Sequence, residues 1–67
     1  LKNTDIKDIA EIFVDKRYAG MSIEDMEDAE QITIYLVLRD GLSILPQRDT
    51  ILKVNDIIII HETDAHS

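Results

Sequence analysis

The chain of 67 residues has no cysteine and no tryptophan, and only one proline, two glycines and 4% aromatic residues. Without cysteine it has no disulfide framework, no thiolate zinc site and no cysteine nucleophile. Basic residues are also few, since 7 Lys and Arg stand against 14 Asp and Glu, and 7 − 14 gives a formal charge of −7. This balance excludes the clustered positive charge that nucleic acids and anionic membrane surfaces require.

Long hydrophobic runs are missing as well. The longest near-continuous apolar stretch, Ile32 to Leu38, contains Thr33, and it is far shorter than the ~20 residues of a membrane helix. No basic and then apolar signal segment opens the chain, and its first residue is Leu1 rather than Met, which suggests a piece of a longer protein. The composition, 45% hydrophobic and 31% charged, is that of one small globular domain that a partner subunit would help to stabilise.

The first half of the chain predicts one strand and one helix. Residues 6–14 fit both a helical spacing of apolar residues and a short β run, and the Ile, Phe and Val cluster before the break at residues 18–20 favours a strand. Residues 22–25, Ser-Ile-Glu-Asp, approximate a capping box. They predict a helix that begins after Ser22, ends near Glu30 and buries Ile23, Met26 and Ala29.

The second half predicts three strands. Ile32, Ile34, Leu36 and Leu38 alternate with Thr33, Tyr35, Val37 and Arg39, which is strand periodicity. Asp-Gly at residues 40–41 is typical of a two-residue hairpin turn, and Pro46 ends the returning strand that starts at Leu42. An Asn-Asp turn at residues 55–56 leads into residues 57–60, four isoleucines that indicate a buried central strand.

These elements predict an α+β fold, a small and mainly antiparallel β-sheet with one short helix on one face. We expect a leading segment or linker at residues 1–8, the domain at residues 9–62 and a polar tail at residues 63–67. Both faces of the hairpin are apolar, so the face without the helix needs a second cover. In strict alternation Tyr35, Val37 and Ile44 share one face, and we expect that face to form either ordinary core, or the interface of a homodimer or a ligand cleft.

This order of elements resembles the TrkA-C domain, the C-terminal half of the RCK (regulator of potassium conductance) module. The resemblance runs from Ile9 to His61 and depends on three short motifs. They are the turn at residues 39–41, the strand end at Pro46, and the Asn55-Asp56 step before the last hydrophobic strand. Asn55 stands where the family usually has glycine, a change that asparagine accommodates because it tolerates left-handed backbone angles.

The resemblance implies a regulatory domain without catalytic residues that pairs as a homodimer. Such domains follow the nucleotide-binding Rossmann half of an RCK module, are attached to potassium or other ion and solute transporters at the cytoplasmic face, or form part of transcription regulators. In some members a small ligand such as cyclic di-AMP lies between the subunits, and Ile34 and Pro46 align with positions lining that cleft. The chain's only glycines, Gly20 and Gly41, form no GxGxxG motif, so the dinucleotide-binding half is not in this sequence.

The resemblance supports the fold of this family, but the residues of this chain do not favour cyclic di-AMP as its ligand. The basic side chain that cyclic di-AMP-binding members present to phosphate falls near Glu27 and Asp28 here. Carboxylates at this place repel a dianion. We therefore expect no resident cofactor, a small effector of another kind, and no cyclic dinucleotide.

The remaining polar residues have simple structural interpretations. The acidic run at residues 24–30 lacks the spacing of a calcium loop, so we interpret it as a solvated helix face and predict no metal site. His61 and His66 are interpreted as a strand end and a polar terminus in solvent, and Arg39 as a surface charge at the hairpin end. No nucleophile and base stand in a recognisable pair, so we predict no catalytic residues and no enzyme.

Two hypotheses of different classes follow. The first is a ligand-binding and dimerisation domain that regulates a potassium or other ion or solute transport protein by ligand-biased gating. The alternative is a protein-interaction domain that needs no ligand and docks a basic partner on its acidic face, or the effector domain of a transcription regulator. A ubiquitin-like sulfur carrier is rejected because the chain ends Asp-Ala-His-Ser rather than Gly-Gly.

Overall fold

The computed structural model describes residues 9–62. It contains the strands β1 (Ile9–Phe13), β2 (Ile32–Arg39), β3 (Leu42–Ile44) and β4 (Ile57–Glu62), and the helix α1 (Ile23–Glu30). The strands form one sheet in the order β1-β4-β2-β3, with every neighbouring pair antiparallel. The expected α+β class is thus confirmed. The predicted leading segment and polar tail, the latter with His66, lie outside the described residues.

The ambiguous segment near the start of the chain is a strand. β1 pairs with β4 along its whole length, from Ile9 opposite His61 to Phe13 opposite Ile57. β4 also pairs with β2 on its other side and is therefore a central strand, as its four isoleucines predict. Its side chains alternate in burial, since Ile58 and Ile60 are buried whereas Ile57 and Ile59 are half-buried.

Both predicted turns have the backbone angles that their residues favour. Asp40 and Gly41, between β2 and β3, have φ values of 52° and 78°, which is the pair of positive angles that a two-residue hairpin turn needs. Asn55, before β4, has φ of 75°. Asparagine is one of the few residues other than glycine that adopt this region readily, so the substitution of Asn for the family's usual Gly leaves the turn intact.

The helix begins and ends where its sequence predicts. The Ser22 hydroxyl oxygen accepts a hydrogen bond from the Asp25 backbone N–H at 3.1 Å, and Gln31 in the left-handed conformation ends the helix after Glu30. Of the three residues expected on the buried side, Ile23 and Met26 are in the core. The prediction for Ala29 is wrong, because the buried side of this short helix stops at Met26 and Ala29 is exposed.

Replacing Ser22 with alanine should destabilise the domain by about 1 kcal/mol, because one helix N–H loses its only side-chain acceptor. Ser43 offers the same change on an exposed strand residue that caps nothing, and Ser43→Ala should change stability by less than about 0.5 kcal/mol. Urea unfolding followed by circular dichroism gives both free energies. Equal effects for the two variants would show that the cap contributes nothing.

A β-bulge in β2 changes which residues share a face. Ile34 pairs with Ile60, but the next pair is Leu36 with Ile59, so Tyr35 is an extra residue opposite none of β4. Beyond the bulge the alternation is therefore inverted. Val37 joins Ile34 on the buried face and is fully buried, whereas Leu36 lies on the opposite face.

The core lies on the side of the sheet that α1 covers. Ile34, Val37, Ile58 and Ile60 of the sheet pack there with the helix residues, and two loop residues, Val14 and Leu52, complete the cluster. The loop between β1 and α1 is joined to the loop between β3 and β4 by two backbone hydrogen bonds of 2.8 Å. The Gly20 N–H donates to the Leu52 carbonyl, and the Leu52 N–H donates to the Met21 carbonyl. They close the core at the end of the sheet where the turn before β4 lies.

Candidate functional site

A buried ion pair joins the end of β2 to the turn before β4. The Arg39 guanidinium donates two hydrogen bonds to the Asp56 carboxylate, from Nε to Oδ1 at 2.9 Å and from Nη2 to Oδ2 at 2.8 Å. The same Nη2 donates to the Ile51 carbonyl at 3.0 Å, and the Lys53 backbone N–H donates to Asp56 Oδ2 at 2.8 Å. Asp56 is only 1% exposed, so its charge depends on the three hydrogen bonds that it accepts, two from Arg39 and one from the Lys53 N–H.

Arg39 therefore has a structural role that the sequence interpretation missed. The sequence predicts a surface charge beside Asp40, but the Arg39 side chain is 23% exposed and donates to a carboxylate 17 positions away. A bidentate contact between guanidinium and carboxylate is strong and has a fixed geometry. It holds the hairpin end, residues 51–53 and the turn before β4 in one arrangement. One feature of the sequence points to this role: an aspartate, Asp56, stands immediately before the four isoleucines at residues 57–60, where a buried carboxylate needs a basic partner.

The two charges stabilise each other's ionised forms. The pKa of Asp56 is lowered, first because Arg39 donates side-chain hydrogen bonds to the carboxylate, while burial acts in the opposite direction and the Lys53 N–H assists the lowering. The pKa of Arg39 is raised, mainly by the same hydrogen bonds to Asp56. A lowered pKa in the folded state means that the folded protein binds this proton less readily than the unfolded chain.

Acidification should therefore remove the contribution of Asp56 to stability. That contribution is fully present above the carboxyl group's unfolded pKa of about 3.9 and is lost as the pH falls through the lower folded value. Urea unfolding between about pH 5 and pH 2 should show stability falling with pH, and Asp56→Asn should flatten this slope more than Asp49→Asn, a change at an exposed aspartate. Equal slopes in the two variants would contradict the assignment, and a carbon-13 NMR titration of the Asp56 carboxyl in the parent chain checks the direction of the shift directly.

A second carboxylate binds the backbone of β2. Glu27 Oε2 of the helix accepts the Ile34 backbone N–H at 2.8 Å. β3 pairs with β2 only at Val37 to Arg39, so this N–H lies on a stretch of the β2 edge that β3 does not reach. Glu27 thus satisfies an edge donor and is not simply part of a solvated acidic face.

The two residues expected to line a ligand cleft have different surroundings. Ile34 is 5% exposed and contributes its side chain to the core, while its N–H is taken by Glu27. Pro46 is half-buried and follows β3, which ends at Ile44. Their role in binding a ligand remains a prediction. Glu27, one of the two acids expected near the place of the family's basic side chain, lies beside the Ile34 N–H.

Elsewhere in the acidic run, Glu24 makes a contact at the protein surface. Glu24 forms an exposed ion pair with Arg48 at 3.1 Å, and the pair is worth little because both side chains are solvated. Within residues 9–62, no three His, Asp or Glu side chains lie close enough together to hold a metal ion.

The side of the sheet away from α1, which we call the outer face, has a regular composition. Register places three rows of residues across it: Phe13, Ile57, Leu38 and Ser43; Glu11, Ile59 and Leu36; and Ile9, His61 and Thr33. The bulged Tyr35 also lies on this side, where its ring stacks on His61 with centroids 6.2 Å apart. His61 is half-buried, so it is less exposed to solvent than expected.

The prediction that Tyr35, Val37 and Ile44 share one face of the hairpin is wrong. The bulge at Tyr35 puts Val37 into the core, and Ile44 packs against that core from β3, whereas Tyr35 lies on the outer face. Of the three residues only Tyr35 is exposed, at 47%. A dimer interface that includes them remains a prediction, and the surface open to it is the one on which Tyr35 lies.

The comparison with protein families agrees with the fold and its motifs. The family model of the TrkA-C domain matches residues 9–61, which is almost the whole described part of the chain. The chain belongs to the TrkA-C family. TrkA-C domains are regulatory rather than catalytic, and the family supports a regulatory domain of the ion-transport or RCK type. No curated protein and no solved structure matches the chain.

Within this TrkA-C domain, the family's short motifs have clear structural positions. The turn at residues 39–41 carries the arginine of the buried ion pair, and the Asn-Asp step supplies its aspartate. The two motifs are therefore joined to each other in space. No helix among the described residues is long and apolar enough to cross a membrane.

Proposed function

We propose that this TrkA-C domain binds a small effector and pairs as a homodimer, and that it regulates a potassium or other ion or solute transport protein at the cytoplasmic side of a membrane. The observation that carries the proposal is the family match over residues 9–61. The mechanism is a population shift, in which an effector that prefers one arrangement of the paired domains biases the state of the attached transporter. The domain has no catalytic role in this proposal.

The chemistry near Ile34 constrains the effector. The Glu27 carboxylate binds the Ile34 N–H at 2.8 Å and Asp28 follows it in the helix. A dianion placed beside this N–H would displace one carboxylate and be repelled by both. We therefore propose an effector other than a cyclic dinucleotide, neutral or cationic near Ile34 and Pro46.

Thermal unfolding of the chain with a panel of compounds tests effector binding. The panel consists of cyclic di-AMP, ATP, NAD, neutral amino acids and alkali cations. A ligand at 100 times its Kd adds about 2.7 kcal/mol to stability, which raises the Tm of a domain this small by roughly 10 °C or more. We expect a saturable shift with a neutral or cationic member and none with cyclic di-AMP.

The same experiment separates the alternative function. A ligand-independent interaction domain shows no shift with any member of the panel, and its binding to a basic partner weakens steeply with salt because the acidic side of α1 is exposed. That result would mean that the domain is regulated by a partner protein and not by a small effector. A shift with cyclic di-AMP alone would retain the regulatory function and refute the proposed role of Glu27.

A further inference from the structure

We propose that the side of β1 (Ile9–Phe13) that faces away from β4, which we call the β1 edge, binds an extended segment of a partner protein. The segment joins the sheet as a fifth strand and places a lysine or arginine opposite Glu11. The inference goes beyond the proposed function, because it concerns neither the effector nor the homodimer. The β1 edge is also separate from the surroundings of Ile34, since β4 lies between β1 and β2 in the sheet.

The first argument is the direction of the backbone groups of β1. The Val14 N–H, just after the strand, donates to the Asp56 carbonyl at 2.8 Å, so Val14 hydrogen-bonds toward the β4 side. In antiparallel pairing such residues alternate with residues whose N–H and C=O groups point the other way. Ile9, Glu11 and Phe13 therefore direct these groups to the β1 edge. In the described part of the chain, no strand or loop pairs with them.

The second argument is the contrast with the opposite edge of the sheet. There β3 is only three residues long, Pro46 follows it closely, and Glu27 takes the Ile34 N–H that β3 does not reach. A short edge strand and a nearby proline prevent pairing with another chain. β1 has five residues in regular register and neither proline nor lysine. An edge without such protection is suited to strand addition.

The third argument is the set of side chains beside the β1 edge, which defines the chemistry of the added strand. Ile9 and Phe13 are 45% and 60% exposed and lie on the outer face on either side of Glu11. Apolar residues opposite them gain apolar neighbours. The exposed Glu11 carboxylate forms no ion pair with any residue between 9 and 62, and an opposite charge directly across from it is favourable. The matching segment is therefore apolar, basic and apolar at alternate positions.

The same carboxylate argues against a second copy of the chain at the β1 edge. Two β1 strands that pair along their full length about a two-fold axis place Ile9 opposite Phe13 and Glu11 opposite Glu11. Like charges directly across from each other destabilise a pair of strands. The formal charge of −7 on each chain adds to this repulsion. It favours a basic segment of a different protein instead.

Amide NMR titrations of the nitrogen-15-labelled chain with synthetic peptides test the inference. The probe is the blocked peptide Thr-Val-Thr-Lys-Thr-Val-Thr, whose valines and lysine lie on one side of an extended strand. One comparison peptide has glutamate in place of the lysine. Another carries methyl groups on the backbone nitrogens of the valines and the lysine, which removes the N–H groups that would donate to β1.

Two variants of the chain test the charge at the β1 edge. Glu11→Lys reverses that charge, and Glu30→Lys is the matched control, because it makes the same change in net charge at an exposed residue of α1. Circular dichroism shows whether both variants are folded. If Glu11→Lys is not, the comparison of the two charged peptides on the parent chain decides.

We expect the lysine peptide to shift the amide signals of Ile9, Glu11 and Phe13 in a saturable way, with a Kd of about 0.1–2 mM. It should also slow the hydrogen exchange of these three amides. The glutamate peptide should bind at least about threefold more weakly, and the methylated peptide should not bind. Glu11→Lys should reverse the preference between the charged peptides, whereas Glu30→Lys should preserve it.

Three results would overturn the inference. The first is no saturable shift with up to about 5 mM lysine peptide. The second is equal binding of the methylated peptide, which would indicate contact with the outer face and not with the strand edge. The third is a shift of the same three amides that grows with chain concentration without peptide, which would make a second copy the occupant. None of these results bears on the effector, whose binding is measured separately by thermal unfolding.

Discussion

Replacing Asp56 with alanine should destabilise the domain by about 3–5 kcal/mol, because removing one partner of a buried ion pair leaves the other without compensation. The change removes both carboxylate acceptors of the Arg39 guanidinium, which keeps only the Ile51 carbonyl, and it removes the acceptor of the Lys53 N–H. A domain of this length has a free energy of unfolding of only about 3–10 kcal/mol. The variant should therefore lose a large part of its stability, which circular dichroism and urea titration measure.

Asp49 provides the matched control, since it is an aspartate in a nearby loop with an exposed side chain. Asp49→Ala should alter the free energy of unfolding by less than about 0.5 kcal/mol. If Asp56→Ala behaved like Asp49→Ala, the contact between Arg39 and Asp56 would not be holding the hairpin to the last turn. Replacing Arg39 with methionine, which keeps much of the apolar stem, should recover part of the loss when combined with Asp56→Ala because no unpaired charge then remains.

The second large effect is expected at Ile58, which lies at the centre of the buried side of the sheet. It is fully buried and faces Ile12 on one neighbouring strand and Val37 on the other. Ile58→Ala should cost about 2–5 kcal/mol, because the lost methyl and methylene groups leave a cavity that the rigid sheet cannot close. Chemical denaturation at constant pH gives the value.

The same substitution at Ile51 is the control for Ile58→Ala. Ile51 is 47% exposed, and its contacts to the ion pair and to Ser22 are made by the backbone, which the substitution leaves in place. Its cost should be below about 1 kcal/mol. A cost at Ile58 no greater than at Ile51 would be inconsistent with a core on the α1 side of the sheet.

Local chemistry explains why much of this fold is predictable from the sequence. Ser22 can be assigned as a cap because a hydroxyl before a helix has one obvious acceptor role. Asp40-Gly41 indicates a hairpin because few pairs adopt positive φ at both positions. The central position of β4 follows from its run of isoleucines, and these short-range signals together define the fold class.

The errors have physical causes beyond the range of such signals. The bulge at Tyr35 adds one residue to β2 without any glycine to mark it, and strict alternation then assigns Val37 and Leu36 to the wrong faces. The contact between Arg39 and Asp56 spans 17 positions and depends on how a hairpin folds back onto a loop. Neither the partner of Glu27 nor the composition of the outer face can be derived before the register of β2 against β4 is known.

The proposed function depends most on a small effector that is neutral or cationic near Ile34 and Pro46. Titration of the panel compounds into the nitrogen-15-labelled chain, followed through the backbone amide NMR signals, tests this dependence most directly. A neutral or cationic compound should shift the signal of the Ile34 amide, whose N–H donates to Glu27, in a saturable way, and cyclic di-AMP should leave it unchanged. No saturable shift with any compound, or a shift with cyclic di-AMP alone, would contradict the proposal.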